Sequence, residues 1–173
     1  MPQKKRTGKV TDLILEALCQ LIKEKRPYDS ICLQEIVDKA GVCRNSFYRN
    51  YHSKEEIFQK RFQEISAKVD TSFQPGYEIT RRDIIKAIAK TMEQNREFLL
   101  CFYQANPKLY FDTLILQVES SNTSKPITSV SPQEYYIFAA RAWLTIGVLT
   151  EWLQRGEELP SDKIVGIIDS LNI

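Results

Sequence analysis

Between residues 44 and 50, Arg44, Asn45, Ser46, Tyr48, Arg49 and Asn50 crowd polar side chains into about one and a half helical turns. An arginine fork can clasp O6 and N7 of guanine, and a carboxamide can do the same for adenine. The cluster therefore has the chemistry of reading base edges in a groove. Little else in the inventory points to chemistry. His52 is the only histidine, so a metal site built on two imidazoles is excluded, and any Ser-His or Cys-His arrangement would have to pass through it. The six glycines are too scattered for a phosphate-cradling loop. The four cysteines, Cys19, Cys32, Cys43 and Cys101, contain no C-x-x-C pair and are expected to be free thiols in a reducing compartment. No catalytic residue, metal or cofactor is expected.

The cluster needs elements to hold it. Apolar residues recur at Val10, Leu13, Ile14, Ala17, Leu18, Leu21 and Ile22, the stripe of an amphipathic helix that Pro27 forbids from continuing. A short helix is expected at Leu33 to Ala40, with Gly41 just past its end, where a left-handed residue is cheapest. After only Gly41, Val42 and Cys43, a third helix is expected from Arg44 to about Tyr51. A fourth starts near Ser53, where Ser53 and Glu56 have capping-box spacing. Its inward stripe is Ile57, Phe58, Arg61, Phe62, Ile65 and Val69. Short helix, three-residue turn with glycine, short helix is the spacing of a helix-turn-helix, whose second helix enters the major groove. Phe47 and Val42 can anchor that helix inward.

Beyond a turn at residues 73–78, every segment reads as helix: about 81–94, 98–104, 109–118, 132–155 and 161–171. The polar stretch 120–131 has no periodicity. Pro132 suits a first helical position after a Ser131 cap. The helix that follows is apolar nearly all round, so it must be covered on two sides. A subunit interface supplies the second cover, and its expected residues are Ile146, Leu149, Trp152, Leu153, Ile164 and Ile168. Charge is asymmetric: residues 1–60 hold 12 Lys and Arg against 8 Asp and Glu, whereas residues 61–173 hold 12 against 14. One end of the chain is suited to a polyanion. No apolar run approaches a membrane span, and the basic start is not that of a signal peptide. A cytoplasmic protein is expected.

In combination, the first helix from Thr11 to Ile22, Tyr28-Asp-Ser-Ile-Cys-Leu-Gln-Glu-Ile, Ala40-Gly41-Val42, Ser46 through Tyr51, and Ser53-Lys54-Glu55-Glu56-Ile57-Phe58 resemble the DNA-binding domain of the tetracycline-repressor (TetR) family of transcriptional regulators. Cys32 departs from the Ser or Thr usual at the second helix's cap, leaving Glu35 as the far half of the capping box. Asn45 stands where a small residue is common. The resemblance implies an all-α protein, with a three-helix helix-turn-helix DNA-binding domain at 1–55 (basic arm 1–9) and a helical regulatory and dimerisation domain at 56–173, joined by a helix at about 54–73. It implies that Arg44, Asn45 and Ser46 read bases, that Tyr48 and Lys54 contact phosphates, and that Arg49 and His52 lie at the margins. It further implies an effector pocket, for which Phe98, Phe102, Tyr103, Tyr110, Phe111, Tyr136 and Trp143 are candidates. The expected partners are double-stranded DNA, a second copy of the chain and an unidentified small molecule, with no membrane. The expected activity is that of a ligand-responsive repressor on a palindromic operator. The alternative is a DNA-binding structural factor or coactivator adaptor of the same fold without an effector.

Overall fold

The computed structural model describes residues 9–24, 26–70, 80–121, 131–156 and 159–171. Among them run α1 (Val10–Lys23), a 3-10 turn (Tyr28–Ser30), α2 (Leu33–Ala40), α3 (Arg44–Tyr48), α4 (Lys54–Asp70), α5 (Arg81–Gln94), α6 (Arg96–Ala105), α7 (Pro107–Ser121), α8 (Pro132–Gln154) and α9 (Ser161–Ser170). No strand occurs among the described residues, in agreement with the all-α expectation. The basic arm, the 73–78 turn and most of the polar stretch 120–131 lie outside the described residues.

The stripe of α1 buries Ile14, Ala17, Leu18, Leu21 and Ile22 against Ile36, Val37 and Ala40 of α2, Phe47 of α3, and Ile57 and Phe58 of α4. Gly41 ends α2 with φ 68°, as its place in the sequence requires. Glu35 accepts the Cys32 backbone N–H at 2.9 Å, so the remaining half of that capping box forms. Helix α3 stops at Tyr48 and not near Tyr51. The N–H groups of Asn50 and Tyr51 both converge on the Phe47 carbonyl, at 2.8 and 2.9 Å, which tightens the chain out of α-helical geometry.

The second half packs α5 on α9, and α8 against α5, α6, α7 and α9. Helix α7 begins earlier than its apolar period suggests. Asn106 caps it by accepting the Leu109 N–H at 2.9 Å, and Pro107 occupies the first position. Ser131 caps α8, accepting from Glu134 N while Glu134 accepts from Ser131 N at 2.9 Å. Arg96 donates to the Leu153 carbonyl at 3.1 Å and so satisfies one acceptor at the end of α8.

The face of α8 differs from expectation. Ile146, Leu149, Trp152, Leu153, Ile164 and Ile168 are all buried inside the protomer, Leu149 completely. Ala142, Ile146, Leu149 and Leu153 follow the 3.6-residue period and together form the helix's own inward stripe. They are core residues, not free to meet a partner. The opposite stripe, Tyr136, Ala140, Trp143 and Gly147, points away from the core; Tyr136 is 71% exposed and Trp143 49%. Leu116 of α7, 62% exposed, and Ile167 of α9 are further uncovered apolar side chains.

Candidate nucleic-acid interface

Helix α3 holds its polar face outward because one side chain fixes it from within. Phe47 is buried and meets Tyr51 at 5.6 Å and Tyr48 edge-on at 5.7 Å between ring centroids. On that anchor Arg44, Asn45 and Arg49 are exposed, Ser46 is half-buried, and Tyr48 is 52% exposed. Neither the Arg44 guanidinium nor the Tyr48 hydroxyl has a hydrogen-bond partner among the described residues. Asn45, Tyr48 and Arg49 line a shallow hollow of about 450 Å³. Arg49 is held in place, donating to Ser46 Oγ at 3.1 Å and to the Asn45 carbonyl at 3.3 Å. Asn50 turns back instead, donating to the Ser46 carbonyl at 2.7 Å. The structure thus brings Arg44, Asn45, Ser46, Tyr48 and Arg49 onto one surface, with the exposed His52 just beyond.

Cys43 caps this short helix, its sulfur 3.2 Å from Ser46 Oγ. That hydrogen bond, with the nearby Arg49 charge, holds the thiol below its ordinary range.

Lys54 is placed differently from a free phosphate ligand. Its ammonium donates to the Tyr28 carbonyl at 2.8 Å and the Ile31 carbonyl at 3.1 Å, and lies 4.3 Å from the Tyr28 ring centroid. It ties the turn before α2 to the start of α4. Sequence spacing gave no sign of this, because its partners are backbone carbonyls 23 to 26 positions away. The α4 cap also differs by one residue: Glu56 N–H reaches Ser53 Oγ at 3.3 Å, but the Glu56 carboxylate accepts from His52 N.

The aromatics expected to line a pocket mostly pack on one another. Phe58 stacks on Phe102 at 4.6 Å; Phe102 meets Tyr110 at 5.5 Å, Tyr110 meets Phe111 at 5.4 Å, and Phe111 meets Trp143 at 5.8 Å. Phe98 and Tyr103 join from α6. Buried Tyr110 bonds Thr150 at 3.1 Å, and burial raises its pKa to about 12. Tyr136 stands apart, exposed, touching only the Tyr135 ring among the described aromatics. Six of the seven thus form one run of packed rings, and Tyr136 lies outside it. A separate hollow of about 320 Å³ lies where α8 meets α9, lined by Gly147, Val148, Glu151, Trp152, Arg155, Leu159 and Ile164.

Among the described residues the geometry is thus a helix-turn-helix with an anchored, outward-polar second helix, set on a larger helical body. Residues 14–60 match the family described as bacterial regulatory proteins, tetR family. Its fold is similar over nearly the whole chain to a Listeria innocua protein (TM-score 0.74, 17% identity, covering 99% of this chain and 93% of that one). It is also similar to a putative TetR-family transcriptional regulator from Syntrophomonas wolfei (TM-score 0.62, 14% identity, 96% and 94%). A third similar structure is the fatty acid degradation regulator FadR from Bacillus halodurans (TM-score 0.57, 16% identity, 96% of each chain). No curated protein matches the sequence. Among the described residues no helix is long and apolar enough to cross a membrane.

Proposed function

We propose that this DNA-binding regulator acts as a homodimer that represses transcription from a palindromic operator and is released by a small molecule. The observation that carries the reading is the surface of α3, where Arg44, Asn45, Tyr48 and Arg49 stand exposed on the buried Phe47. Arg44 and Asn45 address bases, Tyr48 reaches phosphate, and Lys54 acts by holding the turn that presents α2 and α3. One such helix covers only a few base pairs, so two are needed to find a single genomic site. The second comes from a partner seated on the outward stripe of α8. There Tyr136 and Trp143 are uncovered, and Gly147 has no atom within 4 Å of where a Cβ would stand. For relief, an effector must bind the non-operator arrangement more tightly, since equal affinity shifts nothing.

The ring-on-ring packing of Phe58, Phe102, Tyr110 and Phe111 favours a second reading, in which a protein partner replaces the small molecule. Selection of bound duplexes from random DNA tests the main reading. A two-fold symmetric consensus is expected; absence of any enriched sequence would refute it.

A further inference from the structure

Two of the four thiols, Cys19 and Cys101, lie on helices α1 and α6, which pack on each other where the first four helices meet the rest of the chain. The pairing is marked by Lys23, at the end of α1, which reaches Glu97 in the first turn of α6 at 3.8 Å. Four residues back along α1 is Cys19, and four residues forward along α6 is Cys101. On an antiparallel helix pair those positions meet one turn further along the same seam. Each thiol is there the leading influence on the other, lowering the pKa of Cys19 and raising that of Cys101. Cys101 is buried and Cys19 half-buried. Nothing in the DNA-reading surface uses either residue.

We propose that Cys19 and Cys101 are a dithiol switch, which a peroxide converts to a disulfide tying α1 to α6. The reaction balances as two steps. The Cys19 thiolate attacks one peroxide oxygen, the O–O bond breaks, and Cys19 becomes a sulfenic acid while the other oxygen leaves as hydroxide and takes up a proton. The Cys101 sulfur then attacks the sulfenic sulfur, the S–S bond forms, the Cys101 proton is lost, and the sulfenic oxygen leaves as water. Both sulfurs together give up two electrons to the peroxide, and a dithiol reverses the change. The asymmetry of the pair suits these roles. Interaction with Cys101, and less strongly the charge of Lys23, favour the Cys19 thiolate against the opposing effect of burial, whereas interaction with Cys19 and burial keep Cys101 protonated.

The mechanical consequence follows from where the two helices belong. Helix α1 is packed on α2, α3 and α4 and carries the reading helix with it, whereas α6 is packed among α5, α7 and α8. A covalent tie removes the swing of one body on the other, and with it the adjustment of spacing between two recognition helices. This effect on DNA rests on the regulator reading above; the crosslink itself does not.

The test uses the full chain with Cys32→Ser and Cys43→Ser, so that only the proposed pair can react. Hydrogen peroxide is the probe, with peptide mapping and affinity for a duplex that the reduced protein selects from random DNA as readouts. A Cys19–Cys101 crosslinked peptide is expected, together with a change of at least fivefold in affinity that a dithiol reverses. Both should vanish with Cys19→Ser or Cys101→Ala. Absence of the crosslink, or a crosslinked protein with unchanged affinity, overturns the switch. If the reduced protein selects no duplex, the regulator reading fails separately. The crosslink must then raise Tm by about 5 °C or more by closing a long loop, and a Tm that does not move overturns the proposal.

Discussion

Lys54 shows how far a residue's chemistry can differ from its neighbourhood's. It stands beside the surface proposed to meet DNA, yet its ammonium is committed to the Tyr28 and Ile31 carbonyls. Lys54→Ala should therefore cost about 1.5–3 kcal/mol of stability, the range for hydrogen bonds to a charged donor. Urea unfolding measures this, and an unchanged midpoint would show the lysine to be free for phosphate instead. Glu35 carries a pH dependence of its own. Its hydrogen bond from the Arg26 guanidinium, with the Cys32 N–H, holds its pKa at about 2, below the ordinary carboxylate value. A group depressed on folding stabilises above its unfolded pKa, near 4.3, and that contribution is lost as pH falls toward 2. Between those limits wild-type stability should fall with acid more steeply than that of Glu35→Gln. Equal slopes in acid titrations of the two proteins would show the pair to be ineffective.

At the scale of elements, the helices were legible because each is stripe plus punctuation. Gly41 ended α2 where a left-handed residue was needed, and Gly41→Val should cost about 1–2 kcal/mol because its φ of 68° strains a β-branched side chain. Thermal unfolding checks it, and a neutral result would mean that the turn relaxes. What escaped the sequence was direction. Helix α8 is apolar on both sides, so its period could not say which stripe meets its own core and which meets solvent. Leu149 and Leu153 went in; Tyr136 and Trp143 stayed out. The start of α7 was legible in retrospect, since Asn106-Pro107 is a cap followed by a first-turn proline. The Lys54 contacts were not legible at all, because they join distant carbonyls that no local pattern announces. A dimer is thus tested by contrast. Leu149→Glu buries a lone charge and should unfold the protomer by several kcal/mol. Trp143→Glu, already half exposed, should leave the fold intact and dissociate the dimer in sedimentation at micromolar protein. A dimer that survives Trp143→Glu and the further change Tyr136→Glu would place the interface elsewhere.

For the whole molecule, a run of aromatic contacts crosses from the DNA-binding domain to the uncovered face of α8. It starts at Tyr28 beside Lys54 and passes through Phe58, Phe102, Tyr110 and Phe111 to Trp143. Helix α3, the helices α5 to α9 and the proposed dimer face therefore share one packed core, through which a rearrangement at any of them can bias the others. The sequence revealed the two ends of this plan, a basic first third and an over-apolar late helix, but not the aromatic seam joining them, since helical spacing alone makes those rings look like ordinary core. The central claim is that α3 reads bases from Asn45 while the second copy repeats the reading across a two-fold axis. It is tested most directly by measuring affinity for every single-base-pair change in the selected duplex, with wild type and with Asn45→Ala. The account predicts a loss of about 1–3 kcal/mol on the preferred duplex, with discrimination relaxed at one base pair in each half-site at symmetric positions. Undiminished discrimination at every position, or relaxation in one half-site alone, would contradict it.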